Sequence, residues 1–316
     1  MKLPFAARLL AVAMLSAASA VLPLSAAHAA DKPKVALVMK SLANEFFLTM
    51  EDGAKDYQKA HSADFDLISN GIKDETDTAA QIAIVNQMIV QKVDALVIAP
   101  ADSKAMVAVI DKAMKAGIKV VNIDNQLDAG VLKTKGIEVP FVGPDNRKGA
   151  KLVGDYLAKQ LKAGDEVGVI EGVSTTTNAQ QRSAGFKDAM DAAGMKIVST
   201  QSGDWEIDKG NKVAAAMLTQ YPNIKALLAG NDSMAVGAVS AVRAAGKAGK
   251  VQVVGYDNIN AIKPMLKDGR VLATADQYAA KQAVFGIEAA LKMVKGEDTG
   301  AVNGVIQTPV ELVTKQ

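Results

Sequence analysis

Cysteine is absent from this chain of 316 residues, and aromatic residues make up only 4% of it. Without cysteine no disulfide forms, so the fold has to be stabilised by a buried core. Apolar residues, at 49%, are numerous enough to supply that core. The shortage of aromatic residues and the many alanines, valines, lysines and glycines favour helices packed on buried strands over an all-β sandwich. Disordered and collagen-like structures are excluded.

Long apolar runs are also missing, except near the N-terminus. Lys2 and Arg8 precede an apolar stretch over residues 9–24, and residues 27–29 (Ala-His-Ala) form a small-x-small cleavage site, which is the layout of a secretory signal peptide. A membrane anchor is the alternative, but serines and Pro23 interrupt the stretch, whereas a spanning helix needs about 20 mostly apolar residues. We therefore predict a signal peptide over residues 1–29, cleaved near Ala29-Ala30, and a protein that is soluble after export.

No excess of either charge remains after this cleavage. Removal of Lys2 and Arg8 leaves 34 basic residues against 34 acidic ones. Binding to nucleic acid depends on a concentrated positive field. The predicted mature chain has neither such a field nor a basic tail, so nucleic acid is not expected as a partner.

Catalytic motifs are scarce as well. Cleavage removes His28 and leaves one histidine, His61, at the end of an amphipathic segment. With one histidine and no cysteine, the chain lacks the residues for a tetrahedral zinc site and for a Ser-His-Asp or Cys-His triad. The Walker lysine motif, G-x-S-x-G and an EF-hand loop do not occur. Catalysis by a pair of carboxylates is not excluded, because any two of the 34 acidic residues can converge in space. The residues therefore predict a protein that is not an enzyme and has no metal site and no cofactor.

What the chain contains is an alternation of short β-branched runs and longer amphipathic segments, which is typical of βα units on a mostly parallel sheet. In the segment Glu45–His61, for example, Phe47, Met50 and Tyr57 recur at helical spacing and mark one buried face. The predicted strands are Lys34–Met39, Phe65–Ser69, Ala95–Ala99, Lys119–Ile123, Phe141–Gly143, Val167–Glu171, Ile197–Thr200, Ala226–Ala229, Val251–Gly255 and Val271–Ala275.

Ten strands are too many for one ordinary doubly wound domain, and the spacing changes after Ile123, where residues 124–140 are predicted to form a loop. Two α/β domains of similar build are therefore predicted. A (β/α)₈ barrel is the alternative architecture. No low-complexity linker separates the halves, so we expect tight crossings between the domains rather than a flexible tether.

Polar and aromatic residues gather at the carboxyl ends of the predicted strands, where open α/β sheets bind their ligands. Asparagine, aspartate, arginine and glutamine form several directed hydrogen bonds and suit a ring of hydroxyls. Aromatic rings offer flat faces to the C–H side of a sugar. The candidate ligand-binding residues are Asn44, Phe46, Phe47, Asp124, Asn125, Arg182, Trp205, Asn231, Asp257 and Gln277.

Each candidate also has a purely structural interpretation. Asn44, Asn231 and Asp257 precede helical segments, where asparagine and aspartate commonly cap the first turn. Asn125 is compatible with a turn, Arg182 with a solvated helix face, and the aromatic residues with the core. The gathering of all ten at strand ends favours a binding site over these separate explanations.

Several motifs occur in order along the predicted mature chain. They are Asn44-Glu45-Phe46-Phe47, Ala99-Pro100-Ala101-Asp102-Ser103, the Asp124 turn, Arg182-Ser183-Ala184-Gly185-Phe186, Asn231-Asp232-Ser233-Met234-Ala235-Val236-Gly237-Ala238 and Val254-Gly255-Tyr256-Asp257. Together they resemble the periplasmic sugar-binding proteins of ABC importers, above all the ribose-binding type.

The resemblance implies the type I periplasmic binding protein fold, with two Rossmann-like lobes, each a mostly parallel sheet flanked by helices, and a three-segment hinge. The hinge crossings would fall near residues 142–145, 277–278 and 309–310. Residues 30–143 plus 278–309 would form the N-terminal lobe, and residues 144–277 plus 310–316 the C-terminal lobe.

The resemblance also implies which residues contact the sugar. Asp124 would accept hydroxyl protons in the first lobe, beside Asn44, Phe46 and Phe47. The matches in the second lobe and hinge are Arg182, Trp205, Asn231, Asp257 and Gln277. Two positions differ from the ribose binders: Trp205 stands where they have phenylalanine, and Asn125 where they have arginine. The identity of the sugar is therefore open.

The function that the resemblance implies is a periplasmic receptor that captures a monosaccharide, first of all D-ribose, and delivers it to an inner-membrane ABC permease. Other pentoses, polyols, furanose hexoses and furanosyl quorum signals are alternative ligands. A chemoreceptor is a second candidate partner, and a monomer is expected. A LacI-type sensor would need a helix-turn-helix where this chain has an export signal, and a periplasmic sugar enzyme is disfavoured by the residues.

Overall fold

The computed structural model describes residues 32–315, and these form two α/β lobes, each built on one six-stranded sheet. The predicted signal peptide lies outside the described residues. The strands are β1 Lys34–Ser41, β2 Asp66–Ile72, β3 Ala95–Ile98, β4 Lys119–Ile123, β5 Phe141–Gly143, β6 Glu166–Glu171, β7 Lys196–Ser202, β8 Ala226–Ala229, β9 Gln252–Val254, β10 Ala273–Asp276, β11 Val305–Gln307 and β12 Glu311–Thr314. The helices are α1 Glu45–Ala60, α2 Thr78–Val90, α3 Val107–Lys115, α4 Ala129–Lys135, α5 Asn146–Ala158, α6 Thr177–Ala192, α7 Ile207–Gln220, α8 Asp232–Ala244, α9 Lys263–Lys267 and α10 Ala279–Lys295, with a 3₁₀ turn at Asn260–Ile262. No helix in this part of the chain is long and apolar enough to cross a membrane.

The first lobe is organised around a fully parallel sheet with the order β11-β5-β4-β3-β1-β2. Residues 35–39 of the inner strand β1 are completely buried. A strand covered by helices on both faces has an unbroken apolar sequence rather than an alternating one, which explains the run Val-Ala-Leu-Val-Met in this strand.

The second lobe repeats the plan with the strand order β12-β10-β9-β8-β6-β7, in which only β12 runs antiparallel to its neighbour. Two open sheets, each with helices packed against it, confirm the predicted pair of α/β domains. They also show that the barrel alternative is wrong, because a barrel would require a single closed sheet.

Within residues 32–315 the chain passes between the lobes three times. Strand β5 belongs to the first sheet, whereas α5 packs on α6 and β10 of the second lobe. Strand β10 belongs to the second sheet, but α10 returns to pack on α1, β3 and β4. Finally, β11 joins the first sheet and β12 the second. The three crossings lie between residues 143 and 146, 276 and 279, and 307 and 311.

Sequence reasoning missed two strands and one helix. Strands β11 and β12 have no fully buried residue, so they lack the apolar run that marks the inner strands. Helix α4 lies inside the segment that was predicted to be a loop. It is only seven residues long and buries no side chain, and its ends are set by the Asp128 cap and by Gly136 at φ 66°. Neither hydrophobic periodicity nor length identifies such a helix.

Candidate ligand-binding site

A narrow cavity lies between the two lobes. Polar and aromatic side chains from both lobes form its wall. They are Lys40, Asn44, Phe46, Phe47, Glu75 and Asp124 on the first-lobe side, and Asn178, Arg182, Trp205, Asn231, Asp257 and Gln277 on the second-lobe and hinge side. The structure thus brings together nine of the ten residues that the sequence singled out. Asn125 is the one that the wall does not include.

The two asparagines predicted for the site, Asn44 and Asn231, both cap helices and line the cavity. Asn44 Oδ1 accepts from the backbone N of Phe46 at 3.1 Å, and Asn231 Oδ1 accepts from that of Met234 at 2.9 Å. Their amide nitrogens are used as well, since Asn44 Nδ2 donates to Glu75 Oε1 at 3.0 Å and Asn231 Nδ2 donates to a backbone carbonyl at 3.2 Å. The capping interpretation is therefore confirmed for both residues, and capping fixes each side chain at the cavity wall.

Three aromatic rings supply the flat surfaces of the cavity. Phe46 and Phe47 meet edge to face with centroids 5.2 Å apart. The indole of Trp205 is buried on the opposite lobe, and Lys40 Nζ lies 5.5 Å from the Phe47 ring centre and 5.2 Å from that of Trp205. A Cβ atom at Gly172 would come within 2.0 Å of the indole. Only glycine at that position leaves room for the tryptophan.

A buried charged cluster on the first lobe joins the predicted Asp124 to Lys40 and Glu75, which were not among the predicted site residues. Lys40 Nζ lies 3.4 Å from Glu75 Oε2 and 3.9 Å from Asp124 Oδ2, and all three side chains are almost fully buried. Burial raises the pKa of Glu75 and of Asp124, while the neighbouring ammonium of Lys40 acts in the opposite direction. Lys40 had a usable signal, because it is a charged residue that directly extends the buried run of β1. Glu75 and Asn178 lie in or next to loops and gave no such signal.

Arg182 is the corresponding cation of the second lobe. Its Nε donates to Asn146 Oδ1 at 2.8 Å, and its Nη1 donates to the carbonyl of Gly230 at 3.0 Å and to Asp257 Oδ1 at 3.4 Å. The guanidinium stacks on the Tyr256 ring at 3.8 Å. The prediction of a cavity residue fits this placement, whereas a solvated helix position does not, because the side chain is only 3% exposed.

Asp257 and Gln277 are held against each other by a short hydrogen bond. Gln277 Nε2 donates to Asp257 Oδ1 at 2.6 Å, and Gln282 Nε2 in turn donates to Gln277 Oε1 at 3.1 Å. Burial raises the pKa of Asp257 well above its usual range, although the guanidinium of Arg182 opposes this. Asp257 does not cap a helix, so here the capping interpretation is wrong.

Four buried atoms of the wall have no hydrogen-bond partner within residues 32–315. They are Glu75 Oε2, Asp124 Oδ2, Arg182 Nη2 and Trp205 Nε1. Buried polar groups are nearly always satisfied in folded proteins, and each unsatisfied one costs about 1–3 kcal/mol. Glu75 Oε2 is in an ion pair with Lys40, so Asp124 Oδ2 and the two N–H donors are the atoms that remain for a ligand. They match one that both donates and accepts hydrogen bonds.

Asn125 lies behind the cavity rather than in its wall. It is fully buried, and its Nδ2 donates to the carbonyl of Pro100 at 2.9 Å. Its Oδ1 accepts from Ser103 Oγ at 3.2 Å and from the backbone N of Asn178 at 3.3 Å. The geometry therefore does not support the predicted ligand contact, because the amide of Asn125 is used within the protein and bridges the two lobes.

The lobes also touch at the rims of the cavity. On one side Thr177 N and Thr177 Oγ1 of the second lobe donate to Ser103 Oγ of the first lobe at 2.9 and 3.0 Å. Elsewhere Glu45 of α1 accepts from the backbone N atoms of Asn260 and Ala261 at 2.7 and 3.1 Å. These bonds join the lobes without forming part of the cavity wall.

Two mostly parallel sheets, three chain crossings between the lobes and a polar cavity between them define a type I periplasmic binding protein. The family model described as "Periplasmic binding protein domain" matches residues 35–298. The chain therefore belongs to this family of periplasmic solute-binding proteins, which supply ABC transporters.

Individual relatives agree with this assignment. The D-ribose/D-allose-binding protein of Pseudomonas aeruginosa is 74% identical over 310 residues, which is 97% of each chain. A solved ABC transporter solute-binding protein from Burkholderia multivorans is 75% identical, with a TM-score of 0.87, and the match covers 90% of this chain and 100% of that one. Another from Actinobacillus succinogenes, with bound D-allose, is 38% identical with a TM-score of 0.84, over 90% and 98% of the two chains.

Proposed function

We propose that this protein is a periplasmic receptor for D-ribose and D-allose that hands the unchanged sugar to an inner-membrane ABC permease. The observation that carries the proposal is the set of unpartnered buried donors and acceptors between the two lobes, next to aromatic faces. The relative that is 74% identical is named for both sugars, and a solved neighbour holds D-allose. In the pyranose form, D-allose has the ring configuration of D-ribose plus a hydroxymethyl group, so one polar wall suits both.

The proposed contacts follow from the chemistry of the wall. Asp124 and Asp257 accept hydrogen bonds from sugar hydroxyls, while Arg182 Nη2 and Trp205 Nε1 donate hydrogen bonds to sugar oxygens. Phe47 and the indole lie along the C–H faces of the ring. The wall carries both cations and carboxylates, so a neutral polyhydroxy ligand is favoured over an ion. Asn125 acts indirectly, by holding the two lobes together.

Closure of the lobes around the sugar is the second part of the proposal. The proposed lobe boundaries are those that the resemblance implies, with residues 30–143 plus 278–309 assigned to one lobe and 144–277 plus 310–316 to the other. Only a ligand that touches both lobes favours the closed arrangement. The mature protein begins after cleavage near Ala29-Ala30 and acts as a monomer without enzymatic turnover. It presents its closed form to the permease, and a chemoreceptor is a further partner.

Isothermal titration calorimetry tests the proposed ligands directly. We expect D-ribose and D-allose to bind with a dissociation constant of about 1 μM or below, which corresponds to roughly −8 kcal/mol. D-Arabinose differs from D-ribose, and D-glucose from D-allose, by the inversion of one ring carbon. These two matched sugars should bind at least tenfold more weakly, because one buried hydrogen-bonding group of the protein stays unpaired. The absence of heat with both D-ribose and D-allose would disprove the proposal.

Trp205 should report on binding, since it is the only tryptophan in the chain. We expect its emission to change on saturation with D-ribose. Trp205→Ala should weaken binding by roughly 2–4 kcal/mol, and Trp205→Phe, which keeps a flat face but loses the N–H donor, should fall between that variant and the wild type. Emission that stays constant at saturating sugar, together with unchanged affinity in the alanine variant, would favour a pure packing role.

Glu45 should slow the release of the sugar without touching it. Its carboxylate accepts two backbone N–H groups of the other lobe, so Glu45→Ala removes bonds that exist only when the lobes meet. We expect dissociation to become about three- to tenfold faster in stopped-flow measurements, with little change in association. Asp52→Ala, an exposed acid on the same helix, is the matched control and should behave as wild type. Equal dissociation rates in both variants would contradict the idea.

A further inference from the structure

A buried carboxylate lies directly behind the cavity and belongs to no part of its wall. Asp232 is the first residue of α8 and is 0% exposed. It follows Asn231, which does line the cavity, but its own side chain points to the segment after β9. Asp232 Oδ2 accepts from the backbone N of Ile259 at 3.1 Å, and its own backbone N donates to the carbonyl of Tyr256 at 2.7 Å.

The segment that Asp232 holds is strained. Asp257 has φ 122° and the next residue, Asn258, has φ 55°, both in the region that favours glycine. Such conformations cost of order 1–3 kcal/mol each and persist only where the surroundings fix them. This backbone carries the carboxylate of Asp257 to the cavity wall, where it meets Arg182 and Gln277.

Thr274 of β10 completes the support. Its hydroxyl donates to Asp232 Oδ1 at 2.8 Å and accepts from the backbone N of Asn258 at 3.4 Å. Thr274 is fully buried and does not line the cavity. The close approach of Asp232 also requires a glycine, since a Cβ atom at Gly255 would come within 2.0 Å of Asp232 Oδ1. Three positions outside the cavity thus determine how the strained segment lies.

We propose that Asp232 and Thr274 are positioning residues that set sugar affinity by holding the Asp257 carboxylate in place. They act through Asp257 and make no contact with the ligand. The inference rests on the proposed function, because it concerns the same sugar site. It predicts that the hydroxyl of Thr274 matters for binding only as long as residue 257 is an aspartate.

The test is a double-mutant cycle on the purified protein, titrated calorimetrically with D-ribose and with D-allose. Thr274→Val keeps the shape of the side chain and removes the hydroxyl, and we expect it to weaken the affinity about tenfold. Thr274→Ser retains the hydroxyl and should restore affinity to within about twofold of the wild type. In an Asp257→Asn background, whose affinity is already reduced, Thr274→Val should add no more than about a twofold loss.

Other outcomes decide against the inference or against its foundation. The same tenfold loss in both backgrounds would show a general structural effect and overturn the positioning role, as would wild-type affinity in Thr274→Val. Urea unfolding of each variant checks that it is folded. If Thr274→Val does not fold, Asp232→Asn enters the same cycle, with the same non-additivity expected. A wild-type protein that binds neither sugar would overturn the proposed function, and with it the inference.

Discussion

Replacement of Arg182 by alanine is expected to reduce sugar binding at least about 100-fold and to destabilise the protein by about 3–5 kcal/mol, the usual consequence of removing one partner from a buried ion pair. The guanidinium bonds Asn146, Gly230 and Asp257 at once and stacks on the Tyr256 ring. Its loss leaves the buried carboxylate of Asp257 without a cation. It also removes Nη2, the donor that we assign to the sugar.

Arg147 offers the matched control for this variant. It forms a two-pronged ion pair with Asp188 at 2.6 and 2.8 Å, but it lies at the surface with a half-exposed side chain. Exposed ion pairs contribute little to stability, and Arg147 does not line the cavity, so Arg147→Ala should bind sugar like the wild type. Calorimetric titration and urea unfolding measure both quantities. Near-wild-type affinity in Arg182→Ala would show that the guanidinium is not part of the sugar site.

The sugar-free protein is expected to become less stable as the pH rises from about 5 to about 7.5, with about 2 kcal/mol of the loss coming from Asp232. Burial raises the pKa of Asp232 from its usual value near 4 to about 7, and it also raises the pKa of Glu75, Asp124 and Asp257. Between the unfolded and the folded pKa, the folded state keeps a proton that the unfolded state releases. The folded state therefore binds more protons, and its stability falls with increasing pH in that window.

Urea midpoints at pH 5 and pH 7.5 measure this effect. Asp232→Asn removes one of the titrating groups and should show a smaller difference between the two values. Saturating D-ribose should also reduce the difference, because hydroxyl donors to Asp124 and Asp257 favour the charged form of each carboxyl. A midpoint that rises between pH 5 and pH 7.5 without sugar would contradict the raised pKa values.

The inner strands, and the sheet edge at which the cavity lies, could be predicted because they depend on short-range sequence features. The run 35–39 is unbroken because both sheet faces are covered. Asn44 and Asn231 come within three residues of the ends of their strands. Parallel strands collect such residues at one edge. This pattern, together with the resemblance to sugar-binding proteins, identified nine members of the cavity wall.

The remaining features depend on contacts that the sequence does not display. Glu75 and Asn178 enter the wall through the relative placement of two lobes, which no local pattern encodes. Asn125 follows Asp124 in the chain, but the turn there, with Asp124 at φ 60°, places it among Ser103, Pro100 and the second lobe. Adjacent residues at a strand end therefore had different roles, and residue type alone did not separate them.

The triple crossing of the chain has a consequence for biosynthesis. Helix α10 covers the first sheet and buries seven of its residues, yet it is made about 150 residues after β5. The N-terminal lobe is thus the first to be started, but it stays incomplete until most of the second lobe has been synthesised. At ordinary elongation rates the delay is on the order of ten seconds, during which the apolar faces of β1, β3 and β4 remain uncovered by α10. Truncation before residue 279 should consequently leave a chain that aggregates, even though the helices and strands of the second lobe up to β10 are already present.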